Sequence, residues 1–302
     1  MYVLKTTAWC LPLIDRGLIQ LVEWQIGFGP RLPGTVAHRD FIAALKEKVS
    51  PHADELYLQD FTIHFCGKDV LCTNVITVKK ASGQAATTIT RGDKLAGPIL
   101  LGTHFDTRLI ADNETDPVKR NTPIPGANDG GSGTAILSYL LPVIASRSYS
   151  RDIHVVFFDA EDVGNIDGFD FSTGAQYLAD HPLPVPPAEV LVLDMVGGSD
   201  MVLDMDAHFL ENDASRAFGE RIINKAVKTG YAPLLTDKPG KWKYIVCDHY
   251  PFHKAGIPSF ALIDIDYPEW HTQGDLPRAM SEDSLAATAQ FVLDFLEEWW
   301  ID

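Results

Sequence analysis

Side chains able to do chemistry gather in five short segments of this sequence. GTHFDT carries His104 and Asp106, GANDGGSG carries Asp129, DAED carries Glu161 and Asp162, DMVGG carries Asp194, and YPEWHT carries His271. Brought together, such a set is costly to hold beside apolar surface unless a cation offsets its charge. Imidazole nitrogen and carboxylate oxygen, without paired cysteines, are donors that suit zinc, which keeps one position open when it is catalytic. Asp129, Asp162 and His271 are the expected ligands. Neighbouring side chains diverge, so Glu161 and Asp162 take different jobs: Asp162 faces the metal while Glu161 reaches the substrate as general base and acid. Taken singly, each residue is more often a cap, a turn former or a surface charge, and NDG alone marks a turn. Their meaning depends on convergence.

Convergence needs a sheet whose strand ends share one edge. Apolar, β-branched runs at 70–78, 98–102, 153–158, 190–193 and 259–263 predict strands, and their near-continuous apolarity predicts burial on both faces. Helical patterns lie between them: 36–49 behind Thr35, 133–145 behind Ser132, 214–228 behind Asp213, and 285–299. The alternation predicts an α/β fold, a three-layer αβα sandwich with a mixed, mostly parallel central sheet and an antiparallel first hairpin. No linker splits it, so 1–302 reads as a single domain with an N-terminal helical extension. The 80–96 loop reads as a solvated excursion. The 107–128 loop follows a strand end that carries His104 and Asp106, where open α/β sheets keep their sites.

Composition narrows the partners. The chain has 302 residues, 46% hydrophobic and 22% charged, with a formal charge of −16. That sign disfavours nucleic acid and anionic membrane surfaces. No apolar run approaches the roughly eighteen residues of a membrane span, and residues 1–13 make a poor secretory signal. The compartment is therefore cytoplasmic, or periplasmic or secreted if a signal has been removed. Four cysteines are too few for a disulfide scaffold, although Cys66 and Cys72 flank a turn and could meet across a hairpin. The remaining histidines, His208 among them, read as surface or satisfied core residues.

Seven motifs in order, FGPRLPGTVAH, GTHFDTR, NTPIPGANDGGSG, FFDAED, LDMVGG, DHYPFHKAGIP and YPEWHT, resemble the bacterial-type zinc-dependent glutaminyl-peptide cyclotransferases, relatives of the zinc aminopeptidases. The resemblance runs from about residue 20 to the C-terminus. It implies a zinc aminopeptidase-like fold, one zinc on Asp129, Asp162 and His271, and Glu161 as the catalytic carboxylate. It also implies that Asp194 positions the substrate amine and that Asp248 belongs to the acidic network around Glu161. Trp270 would wall the pocket, with Tyr267 and Ile257 extending it. Two departures stand out. Cys247-Asp248-His249 replaces the usual Asp-Asp-His, which should ease ionisation of Glu161 and also resembles the Ser-Asp-His of the aminopeptidases. The segment after DAED lacks a tryptophan that cyclases often carry, with Phe169 or Phe171 in its place. His249 and His253 read as structural.

The implied activity is conversion of an N-terminal glutamine to pyroglutamate with release of ammonia, on peptide or protein substrates, by a monomer. The enzymatic alternative is a two-zinc aminopeptidase with His104 on the second metal. A binding domain that kept the fold and lost the site is the other rival. The retained carboxylates argue against it.

Overall fold

The computed structural model describes residues 17–82, 97–231, 233 and 242–301; the 1–13 segment, Cys10 and most of the 80–96 loop lie outside the described residues. Strands follow in chain order as β1 (Glu55–Phe65), β2 (Lys68–Lys79), β3 (Ile99–His104), β4 (Ile153–Phe158), β5 (Glu189–Asp194), β6 (Met205–Asp206), β7 (Trp242–Lys243) and β8 (Ser259–Ile263). Six of them form the central sheet in the order β1-β2-β4-β3-β5-β8, and β6 pairs with β7 alone. The β1-β2 hairpin joins β4 antiparallel, while β4, β3, β5 and β8 are mutually parallel.

Every residue of β3, β4, β5 and β8 is buried. Two apolar layers account for this. Val155, Phe157, Leu191 and Leu193 face a cluster built with α1 (Leu18–Ile26), α2 (Val36–Val49), α4 (Gly131–Ala145), α6 (Asp213–Thr229) and α8 (Glu282–Leu296), while α3 (Pro117–Arg120) is a single turn within the 107–128 loop. Their neighbours Val156, Phe158, Val190 and Val192 face the opposite cluster, with Ala175 and Leu178 of α5 (Thr173–Asp180) and Phe252 of α7 (Tyr250–Lys254). Alternate side chains thus enter opposite cores, which is why the sequence shows unbroken apolar runs. Strand order reverses at β3, between β4 and β5, and that switch point is where such sheets open a crevice.

Three helix starts differ from the sequence reading. α4 begins at Gly131, directly after Gly130, which caps it in the left-handed conformation at φ 77°, and Ser132 is inside the helix donating to the Asn128 carbonyl. A Cβ on Gly130 would lie 2.7 Å from the Asp106 carbonyl, so glycine is required there. α6 is capped by Asn212, which accepts from Ser215 N, not by Asp213. α8 starts at Glu282 behind Ser281 and gives way to a 3₁₀ turn after Leu296. The predicted cap of α2 holds: Thr35 accepts from His38 N.

Cys66 occupies the hairpin turn at φ 50°, while Cys72 is buried opposite Phe61; both thiols are free and no bridge joins them. α1 packs on α4 and α8 and buries Leu18 and Val22 in the core. No described helix is long and apolar enough to cross a membrane.

Candidate active site

The carboxyl ends of the parallel strands deliver the site. β3 ends in His104, the turn after β4 presents Glu161 and Asp162, β5 ends in Asp194, the turn into α4 supplies Asp129, and the loop after β8 supplies His271. Asp129, Asp162 and His271 offer ligand atoms within 4.8 Å of one another, as do His104, Asp129 and Asp194, so Asp129 is common to both trios. His271 Nε2 lies 3.3 Å from Asp162 Oδ1 and 3.7 Å from Asp129 Oδ2. His104 Nε2 lies 3.2 Å from Asp129 Oδ1 and 3.5 Å from Asp194 Oδ1.

Local backbone geometry aims these groups. Ala160, Met195 and His271 adopt positive φ of 54°, 49° and 54°, each beside or at a site residue. Such conformations cost about 1–3 kcal/mol apiece and persist where surroundings over-determine them. Here the surroundings are specific. Asp106 accepts from the backbone N–H groups of Glu161 and Asp162, both at 3.0 Å. Asp159 accepts from Ala160 N and Thr73 N and pairs with buried His38 at 2.8 Å. Asp275 accepts from Asn128 N at 2.8 Å and Asp129 N at 3.2 Å. Arg31, fully buried, donates to the carbonyls of Phe105 at 2.7 Å and Gly126 at 2.6 Å and so ties the β3 end to the turn that carries Asp129.

The electrostatics call for positive charge. Burial raises the Glu161 carboxyl well above its usual range, and Asp248, Asp162 and Asp194 push the same way. Burial and Asp129 push Asp162 up to about 6. Burial works against protonation of His271, yet Asp162, Asp112 and Asp129 push it up to about 10. Beyond these ion-pair contacts, several polar atoms lack a hydrogen bond. His104 Nδ1 and Nε2, Asp129 Oδ2, Asp162 Oδ2 and Asp194 Oδ1 are buried with no hydrogen bond. Buried orphans of this kind are rare in folded proteins, and an ion is one of the standard explanations. The donor set fits a divalent metal such as zinc.

Beyond these acids and imidazoles opens a cavity of about 510 Å³, lined by Asp129, Glu161, Phe171, Asp194, Trp270 and His271 among others. Trp270 and Phe171 flank the His271 imidazole, with ring centroids 4.3 Å and 6.3 Å from it. Three residues expected in the pocket lie elsewhere. Tyr267 is buried and donates its hydroxyl to Asp275 Oδ1 at 3.1 Å. Ile257 packs against the α5-side core, and Phe169 packs edge-on against Phe65 at 5.8 Å. Of the two phenylalanines left open by the sequence, Phe171 is the one at the cavity. Asp248 is 1% exposed and outside the lining, so it reaches Glu161 through its charge alone. With Cys247 in place of the usual carboxylate, burial and the remaining carboxylates still hold Glu161 above its ordinary range.

Several contributors carry no local sequence signal. Asp112, in a polar loop, sits 2.9 Å from His271 Nδ1 and is itself held by Arg108 Nη2 at 2.7 Å. Ser172 donates to Glu161 Oε1 at 3.1 Å. The 107–128 loop latches the loop that carries His271 through Asn113, whose side chain donates to the Trp270 carbonyl and whose backbone donates to the His271 carbonyl.

Comparison with known proteins agrees with this geometry. The crystal structure of a glutaminyl cyclase from Bacteroides thetaiotaomicron, bound to N-acetylhistamine, superposes with a TM-score of 0.81 at 26% identity, covering 95% of this chain and 98% of that one. A leucine aminopeptidase precursor from the same organism gives 0.82 at 26% identity, over 94% and 97%. The curated aminopeptidase YwaD of Bacillus subtilis is 29% identical over 178 residues, 56% of this chain; the match spans 36% of that relative's length. Residues 86–296 match peptidase family M28, which is most of the chain and contains every acid and imidazole of the two trios. The chain belongs to that family.

Proposed function

We propose that this protein is a zinc-dependent glutaminyl-peptide cyclotransferase. One observation carries the reading: Trp270 lines the cavity beside His271, facing the same space as Asp129, Glu161 and Asp194, where a small amide can stack on its ring. Zinc held by Asp129, Asp162 and His271 would polarise the side-chain amide carbonyl of an N-terminal glutamine as a Lewis acid. The substrate's own α-amine then attacks that carbonyl carbon. Asp194, on the same cavity wall, orients the amine. Glu161 accepts the proton that the amine gives up and returns it to the departing nitrogen, which leaves as ammonia. Burial and three acidic neighbours hold the proton affinity of Glu161 high, as suits a group that must take a proton and give it back. The Ser172 hydroxyl fixes one carboxylate oxygen and leaves the other for the amine.

A two-metal aminopeptidase is the second reading, favoured by the orphaned nitrogens of His104 beside Asp129 and Asp194. Mass spectrometry of zinc-loaded protein with two short peptides, one starting in glutamine and one in leucine, separates the two. Loss of ammonia from the glutamine peptide alone is the expected result. Release of the first residue from either peptide overturns the cyclase reading in favour of hydrolysis.

A further inference from the structure

The cavity continues away from the reacting groups to a second wall, formed by residues 243–246 and Tyr250. Tyr244, Ile245, Val246 and Tyr250 line the same space as Glu161 and His271. Side chains alternate along this stretch as on a strand: Ile245 and Cys247 are buried, whereas Trp242, Tyr244 and Val246 are 41%, 71% and 46% exposed. Trp242 stacks on Phe209 at 5.3 Å, whereas Tyr244 and Val246 turn exposed apolar surface to the cavity, and an apolar patch beside a reaction site is where ligands bind.

The segment is held firmly from behind. Asp206 Oδ1 accepts from Ile245 N at 3.1 Å and lies 2.8 Å from His208 Nδ1, while Asp206 Oδ2 meets His249 Nε2. His249 Nδ1 in turn lies 3.0 Å from Cys247 Sγ. The His208 ring, a buried and hydrogen-bonded imidazole, supports the Tyr244 ring edge-on at 4.9 Å and the Tyr250 ring at 4.5 Å. Asp206, His208 and His249 could by type hold a metal. They instead satisfy one another, and none of their atoms is orphaned.

We infer that this preorganised aromatic and aliphatic wall binds the second residue of the substrate peptide and selects a large apolar side chain there. The inference rests on the reading of the site as one that processes N-terminal glutamine. Continuity of the cavity supplies the occupant: a peptide with its α-amine at Glu161 and Asp194 must send its next residue along the remaining lining. Tyr244 and Val246 offer that residue apolar contact, and the rigid support behind them lowers the ordering cost of binding.

The test compares kcat/KM for zinc-loaded protein with glutamine peptides that differ only in a second-position phenylalanine or glycine. Removing much of one aromatic side chain from water predicts a preference of about tenfold for phenylalanine. Tyr244→Ala and the double change Tyr244→Ala/Val246→Ala should shrink that ratio to within about twofold, while Val227→Ala, an exposed change on α6, leaves it intact. Equal rates in the wild type, or an unchanged ratio in both wall variants, overturn the inference. If first-residue release replaces ammonia loss, the cyclase reading fails, and the ratio is read on that release with leucine peptides of the same second residues. Absence of both reactions overturns the reading and the inference together.

Discussion

At the scale of single residues, the proposed metal ligands and the proposed proton carrier are different side chains. Glu161 lies one position from a proposed ligand but belongs to neither trio. Glu161→Gln should therefore lower turnover by roughly a hundred- to ten-thousand-fold with zinc content unchanged. Activity assay beside metal analysis checks both halves, and surviving activity would remove Glu161 as the shuttle. Asp112 makes the complementary case. It fixes the far nitrogen of His271 and so sets which nitrogen faces the ligand position. Supports of this kind typically contribute about 10–100-fold in metal affinity. Asp112→Asn should weaken zinc binding by about that factor in a chelator competition. Unchanged affinity would mean that the ring is positioned by Trp270 and Phe171 instead.

At the scale of elements, distant segments complete one another. α1 follows Gly17, which has no side chain to cap the helix. The carboxylate of Glu282, in the first turn of α8, takes that role: it accepts from Gly17 N and Leu18 N at 2.8 Å and from Ile19 N at 2.9 Å. An anion at a helix N-terminus answers both the unpaired N–H groups and the macrodipole. Loss of a charged acceptor shared by three donors predicts a cost of about 2 kcal/mol for Glu282→Ala, read as a shifted denaturant midpoint. Hydrogen exchange at α1 should rise with it. A change under about 0.5 kcal/mol, the usual size for a surface substitution, would show that α1 is held by Leu18 and Val22 alone.

At the scale of the whole molecule, the doubly covered sheet also traps a histidine. His154 on β4 is 5% exposed, and burial holds it down to about 4 from an ordinary 6.5. The unfolded chain takes up this proton before the folded one does. The stability it confers is thus complete above about pH 6.5 and is lost as pH falls toward 4. At about 1.4 kcal/mol per unit, the shift amounts to about 3 kcal/mol. His154→Leu should flatten that part of the acid dependence in denaturant melts at pH 7 and pH 4.5. An acid loss identical to wild type would assign the effect to the carboxylates.

The sequence by itself determined β2 and the four parallel strands, the burial of those four on both faces, and the segments that bear the site residues, because apolar periodicity and polar strand ends are local properties of the chain. Asp129, Glu161, Asp162, Asp194 and His271 were legible for that reason, and they do meet at one edge of the sheet. Helix starts were less legible, since Gly130 and Asn212 serve where Ser132 and Asp213 were equally acceptable by residue type. Only the tertiary structure decided which aromatic residues face the cavity: Phe169 and Phe171 are alike in sequence, and Tyr267 and Trp270 share one loop. It also decided the pairings of Asp112 with His271 and of Glu282 with α1. Those depend on which loops the packed sheet brings together across more than 150 residues of chain, and residue type along the chain carries no record of that distance.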